Sequence, residues 1–355
     1  MSGYKLWLAR FAFVFLGAVI GGTFAEAVLA ARGTIPLEKS ALRGYHEHDP
    51  TIGWIGTASH EARFRAPEFD IVIANSELGF RRPEVAFEGP DDARKIVFFG
   101  DSFTWGWGVE QGEVFTDRLQ ERFQGEMRIL NRGVNAFGQA QQRHLLDRVL
   151  VEDEPDAVVV MFFANDPQEC VDDRGGKRPV FTLEGGELIP HNVPVRKKLT
   201  GPFREFSKSS IVLSLLRSSL NHLTVGMRDA PRNWFEESQE GLLHEGWPVC
   251  RALLVDMQRT CEAAGVEFGI VFIPTAYEVT SDESLKLPLR TELEKLCASE
   301  ELSWLDLTPS MHKAWEKAEG HTREGLPFYF PRDQHWTAVG HEFAADKIHE
   351  WWNAK

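Results

Sequence analysis

The stretch Lys95-Ile96-Val97-Phe98-Phe99-Gly100-Asp101-Ser102 decides the fold. Ile96 to Phe99 is a short, continuously apolar run closed by a glycine, the pattern of a strand buried on both faces. The same unit recurs downstream, with strands expected at Arg128 to Asn131, Ala157 to Phe162, Glu267 to Ile273 and Ser303 to Leu307. Between them lie amphipathic segments that predict helices at Glu113 to Phe123, Gln139 to Leu150, Pro248 to Ala264, Leu289 to Ser299 and Thr337 to Trp352. Apolar strands alternating with helices mean a parallel sheet covered on both faces, so the fold class is α/β with three α/β/α layers.

Outward from this core the pattern weakens. Residues 33–92 carry turn residues and charges, with one short apolar run at Ile71 to Ala74, and are expected to be a connector packing on the main domain at 93–355. Between Val171 and Glu245 the alternation stops, which predicts an insertion, 171–245, with one helix at Ser209 to Leu220. At the amino end, Phe11 to Ala31 contains a single charge, Glu26, and its 21 residues match a hydrocarbon core of about 30 Å. Residues 1–32 are therefore expected to be a membrane anchor. A cleaved signal peptide, with small residues at Ala27 to Ala31, and a buried globular helix are the alternatives. Lys5 and Arg10 favour an inside amino end, against Arg32, Lys39 and Arg43 on the other side.

Composition narrows the function. The 355 residues carry a net charge of −14, which argues against nucleic acid or an anionic lipid surface as the main partner. With 43% hydrophobic residues the chain folds around a core rather than remaining disordered. Four cysteines without a C-x-x-C pair give neither a zinc ribbon nor a thioredoxin-type site.

Ligands of open parallel sheets bind beyond the carboxyl ends of the strands, where Ser102 follows its strand directly. The position suits a nucleophile; the alternative is a serine capping the next helix while Gly106 and Gly108 make a turn. Neither G-x-G-x-x-G nor a phosphate loop is present, so no nucleotide cofactor is expected. A serine needs a base and the base an orienting carboxylate. Asp333 and His335, one residue apart just before the last helix, supply both from one loop, against the alternative of a capping Asp beside a surface His. His341 is expected to be surface or supporting. Two further strand ends offer donors for an oxyanion, Asn131 to Gly138 and Phe163-Ala164-Asn165-Asp166, with the Asn165 amide and a backbone N–H as candidates. Phe103, Trp105 and Trp107 stand beside Ser102 as sugar-stacking or acyl-pocket candidates, or as core.

From about His48 onward the chain resembles the SGNH/GDSL hydrolases, of the membrane-anchored bacterial type with an Asp-x-His-Trp ending. The resemblance rests on Asn75-Ser76 with Gly79-Phe80-Arg81, Gly100-Asp101-Ser102-Phe103-Thr104, Asn131 to Gln141, Phe163 to Asp166 and Asp333 to His341. It implies a flavodoxin-like sheet, Ser102 as nucleophile, His335 as general base and Asp333 as its orienting group. The implied oxyanion hole is the N–H of Ser102, a backbone N–H of the second block and the Asn165 amide. Two departures stand out: the family has glycine where Ala136 aligns, leaving Ala136, Gly133 or Gly138 as the donor, and it commonly has two residues between Asp and His.

The expected function is a serine esterase that removes small acyl groups such as acetyl from an extracytoplasmic carbohydrate, with neither metal nor cofactor. An O-acyltransferase using the same site and a non-catalytic cell-surface binding protein are the alternatives. A metal phosphoesterase drawing on Asp101, Asn165, Asp166, Asp333 and His335 is disfavoured, because the set holds one histidine and no H-x-E.

Overall fold

In chain order the elements are helix α1 (Gly3–Ala31), strands β1 (His46–Asp49), β2 (Gly53–Gly56), β3 (Glu61–Ala66), β4 (Phe69–Ala74) and β5 (Arg94–Phe99), and helices α2 (Ser102–Trp105) and α3 (Phe115–Phe123). Then come β6 (Met127–Asn131), α4 (Gln139–Glu152), β7 (Ala157–Phe162), α5 (Asp166–Val171), β8 (Val180–Glu184), β9 (Glu187–His191), α6 (Trp247–Ala263) and β10 (Glu267–Phe272). The chain closes with α7 (Ala276–Thr280), α8 (Pro288–Ser299), β11 (Ser303–Asp306), α9 (Thr308–Lys317) and α10 (Ala338–Asn353). The computed structural model describes residues 3–32, 44–197, 210–213, 246–281, 287–317 and 328–355.

Five strands form one parallel sheet in the order β11-β10-β7-β5-β6. Alternation along β5 sends Val97 and Phe99 into a core shared with α4, α6 and α8, and Ile96 and Phe98 into a second core shared with α3, α9 and α10. The two cores are the faces of one sheet, which gives the three-layer α/β/α architecture that the apolar strands imply. Both are dense with aromatic side chains, so truncating a buried one such as Phe99 to alanine costs about 3–5 kcal/mol.

The order places the site. The chain leaves β5 for β6 on one side, then crosses to β7 on the other, so the order in which strands are added reverses at β5. Such a switch point opens a crevice between the loops of adjacent strands. The loops after β5, β6 and β7 therefore meet there.

The described part of the stretch expected to be a connector, residues 44–92, contains regular strands. It forms two antiparallel hairpins, β1–β2 and β3–β4. Within the insertion, β8 and β9 make a third hairpin belonging to the main unit. Most of the helix expected at 209–220 lies outside the described residues.

The chain divides into two compact units, the second comprising Gly44–Lys198 and Arg232–Lys355. In the first, α1 is a helix of 29 residues whose Phe13–Ala31 stretch is long and apolar enough to cross a membrane; anchors and signal sequences share that length and composition. Glu26 does not stay bare in this apolar helix. Its carboxylate accepts hydrogen bonds from Ser210 Oγ at 2.8 Å and from the N–H groups of Ile211 and Val212.

Candidate active site

Ser102 sits at the first turn of α2, immediately beyond β5. Gly100 is required there by space, since a Cβ would collide with Thr104. Gly106 ends the helix in the left-handed conformation, φ +88°, and its N–H donates to Ser102 O at 3.0 Å. From the hairpin side, buried Arg81 donates to Gly106 O at 2.7 Å and Val109 O at 2.6 Å, with its guanidinium over Trp105. Burial brings the Arg81 pKa down to about 10, so the group stays charged at neutral pH. The turn carrying Ser102 is thus held by glycine shape on one side and by a guanidinium on the other.

His335 and Asp333 lie on a loop whose ends are tied by the Tyr329–Trp336 bridge and by Phe330 N–H to His335 O at 2.9 Å. The residue between them, Gln334, has φ +70°. That left-handed residue turns the chain so that Asp333 and His335 face each other across a single residue, which is how the shorter spacing works. His335 Nδ1 lies 2.5 Å from Asp333 Oδ1, and Nε2 lies 2.8 Å from Ser102 Oγ. Burial works to raise the Asp333 pKa, but the His335 hydrogen bond, the imidazole charge and the Trp107 N–H outweigh it, leaving the carboxyl below its ordinary value. An ionised carboxylate can only accept, so Nδ1 carries a proton, and in the neutral form of the ring this leaves the Nε2 lone pair to face Ser102. Ser102 is 8% exposed, and the Asp333 and His335 side chains are about one-quarter exposed, so the three form a shallow, reachable series.

The loop after β6 has most of its donors committed. Arg132 N–H binds Phe98 O, Gly133 N–H binds Asn131 Oδ1 at 2.9 Å, and Val134 N–H binds Gly100 O. Gly133 is thereby removed as an oxyanion donor. Trp54 Nε1–H donates to Asn135 O at 3.1 Å, and because a trans peptide sets N–H opposite C=O, the Ala136 N–H is aimed away from Trp54. Ala136 has φ +62°, a conformation that favours glycine. Its carbonyl accepts from the buried Arg178 guanidinium at 3.3 Å, tying the insertion to this loop.

Asn165 follows β7 and caps α5. Its Nδ2 donates to Asp101 Oδ2 at 3.3 Å, while Asp101 Oδ1 accepts the Phe103 N–H at 2.9 Å. Asp101 therefore joins the nucleophile turn to the Asn165 loop, a role its sequence position does not reveal. One hydrogen of the Asn165 amide remains for another acceptor. Asp166, fully buried, accepts the Phe163 N–H at 2.8 Å. Burial first, and then the Asp101 charge, push the Asp166 pKa well above the ordinary carboxylate value.

The aromatic side chains divide by role. Trp105 is core, edge-on to Tyr45, and Phe103 is buried among Phe163, His335 and Trp336. Trp107 is neither core nor bare wall. Its indole N–H donates to Asp333 Oδ2 at 3.1 Å and its ring stacks on His335, centroids 5.4 Å apart. Sequence reasoning missed this contact, whose one signal is that a half-buried indole N–H needs an acceptor. His341 is 1% exposed, not a surface residue, and its Nδ1 accepts the Phe115 N–H at 3.3 Å. Among the described residues no group of three or more His, Cys, Asp or Glu side chains is arranged to hold a metal.

No family model matches the chain, and neither does any curated protein. Among solved structures it is similar to the acetyl xylan esterase AlAXEase, with 16% identity over 73% of this chain and 98% of that one, TM-score 0.42. An acetyl xylan esterase from Geobacillus stearothermophilus aligns at 10% identity over 74% and 95% of the two chains, TM-score 0.40. A lipase/acylhydrolase from Enterococcus faecalis aligns at 17% identity over 72% and 94%, TM-score 0.37.

Proposed function

We propose that the chain is a serine ester hydrolase of the SGNH/GDSL type. The observation that carries this is the series Ser102 Oγ, His335 Nε2 and Asp333 at 2.8 Å and 2.5 Å, beyond the carboxyl end of β5. In the first half-reaction Ser102 Oγ attacks the ester carbonyl carbon and its proton passes to His335 Nε2. The tetrahedral adduct collapses, the bond to the alcohol oxygen breaks, and Nε2 returns the proton to the leaving oxygen. Water then attacks the acyl-enzyme by the same route, releasing the acid and restoring Ser102. Asp333 holds the imidazole tautomer and stabilises the imidazolium. The Ser102 N–H, the first of α2 and without an intrahelical acceptor, joins the Ala136 N–H and the Asn165 amide around the developing oxyanion.

The substrate is a small acyl ester, such as acetyl, on a carbohydrate outside the cytoplasm, with α1 as the membrane anchor. The sequence resemblance supports the substrate class, and the apolar length of α1 supports the location. A panel of short- and long-chain aryl esters and acetylated sugars, run with and without a chelator, tests this. The expected result is acetate release from acetylated sugars, insensitive to chelator and lost in Ser102→Ala. Failure on every ester overturns the hydrolase; transfer of the acyl group to an added sugar, in place of release to water, makes it an acyltransferase.

A further inference from the structure

The β3–β4 hairpin lies more than 250 residues before Asp333 in sequence, yet it reaches the loop that carries it. Its turn is Pro67-Glu68. The Glu68 carboxylate accepts the Asp333 N–H at 2.8 Å through Oε2, and the Arg332 N–H at 3.0 Å through Oε1. These two N–H groups sit in an irregular loop with no ladder partner, so without Glu68 they turn to water and the loop gains slack. The same hairpin grips the other contact of Asp333. Phe64 packs edge-on against Trp107 at 4.7 Å, Phe69 does so at 6.3 Å, and Phe69 also meets Phe330 at 5.5 Å. Val72 N–H donates to Glu110 just beyond Trp107, fastening the hairpin to that turn as well.

We infer that Glu68 is a positioning residue for the proposed esterase: through the backbone of Asp333 it sets the bond between Asp333 and His335. This rests on the triad of the preceding section. Asp333 is held at three points, its N–H by Glu68, Oδ2 by Trp107 and Oδ1 by His335, and the hairpin supplies or braces the first two. A carboxylate suits the task because an ionised acceptor makes stronger bonds to N–H than a neutral one and has oxygens for both donors. The Glu68 carboxylate bonds the backbone N–H groups of Arg332 and Asp333, so it acts on the reaction through Asp333.

The test compares Glu68→Ala and Glu68→Gln with the wild-type chain, and repeats Glu68→Ala in an Asp333→Ala background, on an aryl acetate. A displacement of the orienting group by about 1 Å costs on the order of 10- to 100-fold, so Glu68→Ala is expected to lose that much kcat with KM little changed. Glu68→Gln, which keeps a neutral oxygen acceptor, recovers most of it. In the Asp333→Ala background, Glu68→Ala costs nothing further. Full kcat in Glu68→Ala, or an equal loss in both backgrounds, overturns the inference. If Glu68→Ala does not fold, Glu68→Asp, which keeps the charge and retracts it by one methylene, faces the same two outcomes. A second readout is independent of turnover: the low-field proton resonance of His335 Nδ1–H, expected in the wild-type chain and weakened in Glu68→Ala. An inactive wild-type chain overturns the esterase alone, and this resonance then decides the role of Glu68, an unchanged signal counting against it.

Discussion

Replacing Asp333 by asparagine probes the tautomer that the site depends on. Asp333 Oδ2 accepts from Trp107 Nε1–H at 3.1 Å, and Oδ1 faces His335 Nδ1 at 2.5 Å and the His335 N–H at 3.4 Å. An asparagine can offer an oxygen at only one of these places. In either orientation its NH2 group opposes one N–H, and the Trp107 donor at 3.1 Å is nearer than the His335 N–H at 3.4 Å, so the oxygen turns to Trp107 and the NH2 turns to His335. Nδ1 must then accept, the imidazole proton moves to Nε2, and the nitrogen facing Ser102 ceases to be a base. The wrong tautomer costs about 10⁴ in kcat, or ~5 kcal/mol, in a triad of this kind. Removing the indole N–H relieves the conflict. In Asp333→Asn with Trp107→Phe, the asparagine oxygen is free to face Nδ1 and the His335 N–H together. The double variant should regain about tenfold, the ~1.4 kcal/mol of one opposed donor pair, though not the charge. The assay is kcat on an aryl acetate, with circular dichroism confirming the fold. An Asp333→Asn enzyme within tenfold of wild type, or a double variant slower than the single, would refute the tautomer argument.

Three further outcomes follow from the same geometry. Asn165→Ala should lower kcat by about 10²- to 10³-fold with little change in KM, measured on two esters of different acyl length; a folded enzyme with full kcat removes the amide from the oxyanion hole. Ala136→Gly should keep activity and raise stability by about 1 kcal/mol in urea unfolding, because the left-handed φ of +62° strains alanine and not glycine. Burial, with the charges of Arg81 and His335 adding to it, lowers the His341 pKa from 6.5 to about 3. The folded chain therefore leaves His341 neutral while the unfolded chain protonates it below pH 6.5, so stability is lost as pH falls from 6.5 toward 3. At pH 5 this amounts to about 2 kcal/mol, visible as a lower urea midpoint that His341→Asn should make less dependent on pH.

The sheet was legible because buried parallel strands write themselves as unbroken apolar runs, as Ile96 to Phe99 and Ala157 to Phe162 do. The placement of Ser102 and Asn165 was legible for a related reason, since loops after such strands converge wherever the strands are neighbours; Asp333 and His335, on the loop before the last helix, were legible as a carboxylate one residue from an imidazole. What escaped sequence reasoning depends on contacts across long separations. In β3 only Phe64 is buried, flanked by charges, so no periodicity announced a strand or its grip on Trp107. Glu68 is one acid among 53 acidic residues, and nothing local marks it as the acceptor for a loop near the other end of the chain. Asp101 caps the helix that opens with Ser102, and its second oxygen holds Asn165 across 64 residues, a contact that nothing local announces. The left-handed turn at Gln334 was equally hidden, because glutamine carries no preference that would predict it.

Covalent labelling of the whole chain by a serine-directed fluorophosphonate, followed by peptide mass spectrometry, tests the central claim most directly. A hydroxyl with a neutral imidazole lone pair 2.8 Å away is far more nucleophilic than an ordinary serine. The expected result is one adduct, on Ser102, absent in Ser102→Ala and strongly slowed in His335→Ala. An unlabelled chain, or an adduct that persists in Ser102→Ala, would contradict it.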